Sequence, residues 1–421
     1  LIYGLQSGLV GNVPRPDLKP LLPRKFRATM SEDAEYAYMA ARQAFEQAGI
    51  TTEYLKENEV GCIMGNDGSL SDVPEMCDIM QQEKCSLMLG PNMVFKASSS
   101  GGCMNLNTIF GLRGASFIIG SACASSSYAI GIASLLISNG LQDIVLAGGY
   151  AGNSKIGAAA VDAIAALSLR NNDPTHASRP FDCDRDGMVP SNGAAALVLE
   201  EYEHAKARGA NILAEVAGYG FSSNGIENIS TPSADAEYTA MKRALDDAGL
   251  RPEEIDYVNA HGTSTIQGDI EEAKALCRLF RGDRGVENLE NLENLENLEN
   301  LENLENLENL KNLKNLKNLK NLKNLKNLKH LKHLPPYISS TKSMTGHENC
   351  MAGASEAVYS ILMMQNNFVA PNINLENIIP EAKTLNIARE TIYTPVNTVL
   401  SNSSGMGGTN SALVFRKIQK L

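Results

Sequence analysis

The sequence predicts an α/β protein built from two similar halves. Short apolar strands alternate with helical segments, as in strand 116–119, helix 124–138 and strand 143–149. Two further helical segments resemble each other, DAEYAYMAARQAFEQAGI (33–50) and DAEYTAMKRALDDAGL (235–250), and each ends at Ala-Gly. We interpret the pair as a diverged internal duplication; the alternative is a coincidental likeness between two amphipathic helices.

The remaining elements follow the same alternation. In the first half, strand GCIMG follows the helix at 33–50, and a sharp turn joins strand 116–119 to the next helix. The second half is predicted to contain strand 256–260, strand 337–340, helix 352–367 and two strands within 398–415. A glycine-rich turn joins those last two strands.

Composition limits the function classes. Of the 421 residues 43% are hydrophobic but only 5% aromatic, and 35 are glycine, which favours tightly packed layers of small aliphatic side chains. A net charge of -11 argues against a nucleic-acid partner, since a polyanion needs a concentrated positive surface. No apolar run of bilayer length is present, so we expect no membrane insertion.

The eight cysteines indicate neither a disulfide framework nor a metal site. They contain no CxxC pair and no Cys/His spacing suited to zinc, so we predict no bound metal. A core of this size does not need disulfides. We therefore expect a reducing, cytoplasmic location.

Residues 287–334 form a low-complexity tract. It consists of eight ENL units, six KNL units and two KHL units. A three-residue period spirals the leucines around an α-helix, so no single face can be buried. We interpret the tract as a solvated insertion; the alternative is a functional module in which the oppositely charged halves fold back on each other.

Cys123 is the first candidate for chemistry. It lies in GSACASSSYAIG, where a strand ends and a helix begins, and its neighbours are too small to enclose it. At a helix N-terminus the unpaired N–H groups favour a thiolate and lower the thiol pKa, which suits a nucleophile. The alternative is a small buried cysteine that behaves as a hydrophobic residue.

Two histidines are candidate partners for that thiol. His261 in NAHGTSTIQGD and His347 in STKSMTGHENC each follow a predicted strand, and strand ends are where α/β folds build their sites. A single histidine is more often structural. Two in the same topological setting favour a catalytic role.

Five segments together resemble a known family. They are SACASS, RPFDCDRDGMV (179–189), HGTSTIQGDIEE (261–272), STKSMTGH (340–347) and SNSSGMGGTN (401–410). In this order they resemble the β-ketoacyl-[acyl-carrier-protein] synthases of the elongating Cys-His-His type, which have the thiolase-like fold. The resemblance extends over 17–283 and 335–417.

The resemblance implies a duplicated fold with two five-stranded mixed sheets layered with helices as α-β-α-β-α. It assigns residues 1–218 to an N-terminal half with the nucleophile. Residues 219–286 and 335–421 form a C-terminal half with both histidines.

The family also implies a role for each matching residue. Cys123 would carry the acyl group as a thioester, while His261 and His347 stabilise the enolate left when malonyl thioester loses carbon dioxide. The charged residues Lys342, Glu356, Asp269 and Glu272 would orient this site. The backbone N–H groups of Cys123 and Met406 would form an oxyanion hole.

The same resemblance implies the partners. Acyl carrier protein would present substrates on its phosphopantetheine, no other cofactor is expected, and the protein would be a homodimer. Arg24 and Lys25, with Arg27 beside them, resemble the positions that dock the acidic carrier protein. A solvated basic loop is the alternative interpretation of that segment.

The sequence departs from the family pattern in three places. One is Cys350-Met351-Ala352-Gly353 after the second histidine, where the family usually has Gly-Ala-Ala-Gly, which is expected to change the bulk beside the pocket. Ser404 and Met406 replace two phenylalanines near the acyl-pocket gate, so chain-length selection is expected to differ. The family's first strand and helix are not found before Leu1, and we expect their loss to leave a gap in the middle of the N-terminal sheet. An impaired condensing-enzyme fragment acting as a scaffold is therefore the alternative function.

Two related kinds of protein are disfavoured. A thiolase is disfavoured because its second cysteine is absent from SSGMGG, and a chain-length factor is disfavoured because Cys123 is present.

Overall fold

Two mixed β-sheets, with helices on their faces, organise the protein in a computed structural model. The structure describes residues 4–68, 72–152, 154–226, 228–282 and 335–418. The predicted solvated tract at 287–334 lies outside the described residues.

The first sheet comprises four strands. They are β1 (Gly61–Gly65), β2 (Ser116–Ile119), β3 (Ile144–Ala151) and β4 (Gly193–Glu200). Their order is β2-β1-β3-β4, and β4 is antiparallel to the others. The helices described in this half are α1 (Arg24–Arg27), α2 (Glu32–Ala48), α3 (Thr52–Glu57), α4 (Val73–Glu83), α5 (Met93–Lys96), α6 (Gly101–Phe110), α7 (Ser125–Ser138), α8 (Lys155–Ala163) and α9 (Tyr202–Ala207).

The second sheet comprises five strands. They are β5 (Glu215–Ser223), β6 (Tyr257–Asn259), β7 (Tyr337–Ser339), β10 (Thr398–Gly405) and β11 (Thr409–Arg416), in the order β5-β11-β10-β6-β7. A short ribbon pairs β8 (Phe368–Val369) with β9 (Ile392–Tyr393). The helices described in this half are α10 (Ala234–Asp247), α11 (Ile266–Arg281), α12 (Lys342–Thr345) and α13 (Ala352–Asn366).

The alternation of side chains along each strand creates five layers. In β1, Ile63 belongs to the central core with α7 and α13, whereas Cys62 and Met64 face the outer layer of α2 and α6. In β10, Val399 joins the central core and Leu400 packs with α10 and α11. The α-β-α-β-α order predicted from the family resemblance is therefore confirmed.

The two halves repeat one topology. The series β2-β1-β3-β4 corresponds to β7-β6-β10-β11, and β5 is the additional strand, at the edge of its sheet. The prediction of a gap in the middle of the N-terminal sheet is wrong. Its strands pair continuously, and the place that corresponds to β5 is at the edge, beside β4.

The predicted boundary between the halves lies close to the division between the two sheets. The boundary after residue 218 falls inside β5, which pairs with β11 along its length. The sheets therefore divide between β4 and β5. Within the described residues, no helix is long and apolar enough to cross a membrane.

A glycine brings the nucleophile's helix close to the first sheet. A Cβ on Gly65 would lie 2.3 Å from the backbone nitrogen of Ser126, in the first turn of α7. Only a residue without a side chain allows this approach. The start of α7 is thereby fixed against the end of β1.

Candidate active site

Cys123 lies in a strained turn between β2 and α7. The preceding residue, Ala122, has φ of 47°, in the left-handed region that an alanine rarely occupies. Ser125 stabilises the turn because its Oγ accepts the N–H of Ser121 at 2.8 Å and donates to the carbonyl of Ala122 at 2.6 Å. Strain of this kind costs about 1–3 kcal/mol and is typical of functional sites. Cys123 itself is buried, 8% exposed.

His261 lies two residues beyond β6 in a turn held by Glu272. Both carboxylate oxygens of Glu272 are used, since the backbone N–H groups of His261 and Gly262 each donate to one at 2.6 Å. Asn402 adds a third hydrogen bond from Nδ2 at 2.9 Å. A fully buried carboxyl of α11 therefore fixes the backbone that carries the imidazole.

Asp269, one turn earlier on α11, holds the neighbouring loop. It accepts the N–H of Phe181 at 2.7 Å and that of Ser264 at 3.0 Å, and it lies 3.5 Å from Arg185. Burial raises the pKa of Asp269 to about 7, against the opposing effect of Arg185. The RPFDCDRDGMV segment is thus joined to the histidine loop through this carboxyl.

His347 follows α12, and its tautomer is defined by the backbone. The N–H of Asn349 donates to Nδ1 at 3.1 Å, so Nδ1 carries no hydrogen and Nε2 carries it. His347 Nε2 has no hydrogen-bond partner among the described residues, although the side chain is buried. It is a free N–H donor directed at the site.

Lys342 and Glu356 form a fully buried ion pair beneath the histidines. Burial raises the pKa of Glu356 to about 8, and the charge of Lys342 opposes that rise. Lys342 also acts on the histidines: together with burial, which is the larger cause, it lowers the pKa of His261 and of His347. Both imidazoles are therefore neutral at physiological pH.

The three candidate reacting groups converge. The sulfur of Cys123 and a ring nitrogen from each of His261 and His347 lie within 4.8 Å of one another. The two rings meet edge to face, with centroids 5.4 Å apart and planes at 88°. The sequence analysis thus selected side chains that are distant in sequence and adjacent in space.

This donor set suits a thioester oxygen better than a metal ion. A metal would need the lone pair of His347 Nε2, which carries the hydrogen. Moving that hydrogen to Nδ1 would set it against the Asn349 N–H. The arrangement offers hydrogen-bond donors, which is what a developing oxyanion requires.

The net pKa direction of Cys123 differs from the sequence-based expectation. Burial raises the pKa of the thiol, although the N–H groups of Met406 and Cys123 and the charge of Lys342 all act to lower it. The expected net lowering at a helix N-terminus was wrong because desolvation of the thiolate outweighs the dipole. The two N–H groups nevertheless point at the sulfur, as an oxyanion hole requires.

The β10–β11 turn is tied to the nucleophile turn. Thr409 donates from Oγ1 to the carbonyl of Ser121 at 3.0 Å, which places Met406 beside Cys123, with 48% of the methionine exposed. Ser404, the other expected gate residue, has its hydroxyl near the Glu237 carboxyl of α10. Ser404 therefore faces the outer helices.

The predicted carrier-docking residues are not among the convergent side chains. They lie on α1, where Arg24 and Lys25 are exposed. Arg27 is half-buried and donates from Nε to the carbonyl of Leu22 at 3.0 Å. Two of the three cations are thus available to a partner.

Comparison with known proteins agrees with this geometry. Residues 18–205 match the family described as "Beta-ketoacyl synthase, N-terminal domain", and residues 213–289 and 319–376 match "Beta-ketoacyl synthase, C-terminal domain". The chain belongs to the beta-ketoacyl synthase family. It is 37% identical over 419 residues to 3-oxoacyl-[acyl-carrier-protein] synthase 1 of Escherichia coli strain K12, covering 99% of this chain and 89% of that relative. It is 33% identical to synthase 2 of Coxiella burnetii strain RSA 493 over 96% and 86% of the two chains.

Solved structures place this beta-ketoacyl synthase among ketosynthases. A beta-ketoacyl synthase from Burkholderia phymatum STM815 has a TM-score of 0.83 and 32% identity, covering 99% of this chain and 90% of that one. The AntDE:AntF structure, a type II PKS acyl-carrier protein in complex with its ketosynthase, has a TM-score of 0.76 and 26% identity over the same shares. The likeness runs through both halves, which favours a condensing enzyme over the scaffold alternative.

The sequence analysis of this beta-ketoacyl synthase missed two acidic residues of the site. Glu348 directly follows His347, is buried, and receives a hydrogen bond from the Tyr359 hydroxyl at 3.3 Å. Burial raises the pKa of Glu348, and the charge of Lys342 opposes that rise. Asp67 lies beside the nucleophile turn. No sequence signal separated these carboxyls from ordinary surface acids.

Proposed function

We propose that this beta-ketoacyl synthase condenses an acyl group held on Cys123 with malonyl-acyl carrier protein. The products are carbon dioxide and 3-oxoacyl-acyl carrier protein, in fatty-acid synthesis or a related polyene or polyketide pathway. One observation carries the proposal: a thiol, two neutral imidazoles and two backbone N–H groups converge in one buried site. Each belongs to a step of that reaction.

The first step transfers the acyl group. The sulfur of Cys123 attacks the carbonyl carbon of the incoming acyl thioester, and the proton of Cys123 leaves with the carrier's thiol. The negative oxygen of the tetrahedral intermediate would be bound by the N–H groups of Cys123 and Met406, which already point at this sulfur. The strained turn presents both the sulfur and one of those donors.

The second step makes the carbon nucleophile. The carbonyl oxygen of malonyl thioester would accept the hydrogen of His347 Nε2 and a second hydrogen from His261, so that the enolate is stabilised as carbon dioxide leaves. Neutral donors suit this step, because a permanent positive charge would hold the carboxylate that has to depart. The enolate carbon then attacks the Cys123 thioester and expels the thiolate, which takes up a proton.

The charged groups position the donors. Burial and, to a smaller extent, Lys342 keep both histidines neutral, Glu356 pairs with Lys342, and Glu272 and Asp269 hold the His261 loop. Met406 would gate the acyl pocket, because it is exposed beside Cys123. We do not extend that role to Ser404, which faces α10.

Acyl carrier protein would bring both substrates on its phosphopantetheine, with no further cofactor. Its acidic surface would dock on the exposed Arg24 and Lys25 of α1, with Arg27 supporting the turn. The AntDE:AntF structure supports this choice of partner, since it contains a ketosynthase with an acyl carrier protein. Charge-reversing substitutions of Arg24 and Lys25 should weaken carrier binding in a salt-dependent manner.

A homodimer would cover the outer edge of the first sheet. Within the described residues β2 pairs with β1 alone, and Phe117 on β2 is 40% exposed. Two copies could pair their β2 edges around a twofold axis and bury both. Light scattering would show a dimer that Phe117→Asp weakens.

All eight cysteines are free thiols, which supports our proposal of a reducing, cytoplasmic location. The reaction itself is tested by mass spectrometry after incubation with an acyl carrier protein loaded with a saturated acyl group. The expected result is a mass increase of one acyl group on Cys123, followed by 3-oxoacyl product when malonyl-acyl carrier protein is added. A folded protein whose Cys123 remains unmodified would contradict the proposal.

A further inference from the structure

Asp67 lies directly against the nucleophile turn. It follows β1 by two residues, and the backbone N–H of Ala122 hydrogen-bonds to its carboxyl. A Cβ on Gly120 would lie only 3.0 Å from Asp67 Oδ1, so the carboxyl packs against the space that this glycine leaves open. Asp67 thus touches residues on both sides of Ser121, immediately before Cys123.

The Asp67 carboxyl is exposed to solvent and acts electrostatically on the Cys123 sulfur across the turn. It raises the pKa of the Cys123 thiol, in the same direction as burial. The other titratable groups facing Cys123 are Lys342, which opposes this effect, the neutral His261 and His347, and the thiol of Cys350. Lys342, whose charge opposes this effect, is itself paired with Glu356.

Condensation requires that Cys123 react with one of two thioesters and not the other, and a negative charge would favour that selection. Two thioesters reach this site, and only one of them, the malonyl thioester, carries a free carboxylate near its carbonyl. If malonyl were transferred to Cys123, the nucleophile would be blocked. An anion beside the sulfur repels that carboxylate and leaves an uncharged acyl chain unaffected.

We propose that Asp67 is a specificity-determining residue that disfavours carboxylated acyl groups at Cys123 and, through the Ala122 N–H, holds the strained turn in place. The inference rests on the proposed function for its biological meaning. Its physical content, an anion acting on reagents at Cys123, does not depend on that function.

Two alkylating reagents test the charge without any carrier protein. Iodoacetamide is neutral and iodoacetate is anionic, and both form the same kind of bond to sulfur with loss of iodide. We define the discrimination ratio as the rate constant for iodoacetamide divided by that for iodoacetate at Cys123, followed by mass spectrometry. In the protein without substitutions this ratio should exceed that of a neutral cysteine peptide by about fivefold or more, and added salt should reduce it.

Asp67→Asn keeps an oxygen for the Ala122 N–H while removing the charge. We expect its discrimination ratio to fall at least about fivefold, towards that of the peptide. We also expect its iodoacetamide profile to shift to lower pH, which a merely structural role would not cause. Asp184→Asn is the matched control, because Asp184 is an exposed acid that is not among the groups acting on the Cys123 thiol, and it should leave the ratio unchanged.

The outcomes separate the two proposals. Two results would overturn the proposal that Asp67 repels anionic reagents: a discrimination ratio of the protein without substitutions equal to that of the peptide, or an unchanged ratio in Asp67→Asn. The first measurement needs no variant, so it decides the matter even if Asp67→Asn fails to fold. Failure of acyl loading from carrier protein, with the ratio behaving as expected, would instead overturn the proposed function. Greater malonyl loading in Asp67→Asn/His261→Ala than in His261→Ala would connect the charge to the reaction.

Discussion

The nucleophile turn and the His261 loop lie at strand ends in the two different halves, and they are stabilised in different ways. Asp67 follows β1 by two residues and His261 follows β6 by two, and β1 and β6 correspond in the two sheets. The turn at Cys123 is held by the hydroxyl groups of Ser125 and Thr409 and by the exposed carboxyl of Asp67. The loop at His261 is held by the buried carboxyls Glu272 and Asp269.

This difference indicates a division of labour. The first half supplies the acyl acceptor and a local negative charge, whereas the second supplies hydrogen-bond donors kept neutral by burial and, to a smaller extent, by a buried lysine. Acyl transfer and decarboxylation should therefore respond independently to substitution. The comparison fails if changes in one half always impair both steps.

The largest expected effect is that of Cys123→Ala. Condensation should fall by about a thousandfold or more, because no other group can hold the acyl chain. Malonyl decarboxylation should persist, since its donors lie in the second half. Release of labelled carbon dioxide and product analysis measure the two quantities. Cys183→Ala, at an exposed thiol, is the control; acylation of the Cys123→Ala protein at another residue would refute the assignment.

His261→Ala and His347→Ala should give the complementary result. Each removes one donor to the enolate oxygen, and losses of about 10²–10³-fold are typical for such donors. Acyl transfer to Cys123 should remain measurable by mass spectrometry, because its oxyanion donors are backbone groups of Cys123 and Met406. Equal loss of both steps would remove the proposed separation between the halves.

The sequence was sufficient for the parts of the site that are encoded by short segments. Cys123, His261 and His347 each lie in a local motif after a strand end, and the site forms where the strand ends of the two sheets meet. The central gap was mispredicted because sheet order depends on which strands pair at long range, and no local pattern encodes that. β5 is an example: nothing in its sequence indicates that this strand lies at the edge of the sheet.

Burial accounts for the other failures of prediction. Glu348 and Glu237 resemble surface acids in sequence, yet both are buried, and burial raises the pKa of each. The pKa of Cys123 was mispredicted for the same reason: the helix N-terminus is visible in sequence, whereas desolvation is not. Local chemistry was thus predictable, and electrostatic environment was not.

Stability should also separate the two regions. Lys342→Ala leaves the carboxyl of Glu356 fully buried without its cation, and breaking a buried pair in this way costs about 3–5 kcal/mol. Ser125→Ala removes two hydrogen bonds of the nucleophile turn, at about 0.5–1.5 kcal/mol each. Denaturant unfolding of the two variants compares these costs directly. A larger loss in Ser125→Ala than in Lys342→Ala would reverse our view of which region depends on buried charge.

The smallest expected effect is that His261 and His347 do not become protonated as the pH falls through the usual imidazole range. Burial and the charge of Lys342 lower the pKa of both histidines, so on acidification they remain neutral below the usual imidazole pKa of about 6.5. Malonyl decarboxylation should therefore show no loss of rate as the pH falls through 6.5, and its acid limb should lie lower. Removing the lysine charge in Lys342→Met takes away one of the two causes, so the acid limb should move upwards towards 6.5. A wild-type limb centred near 6.5 would mean that the imidazoles are solvated in the working enzyme, and the contrast between the two halves would then lose its electrostatic basis.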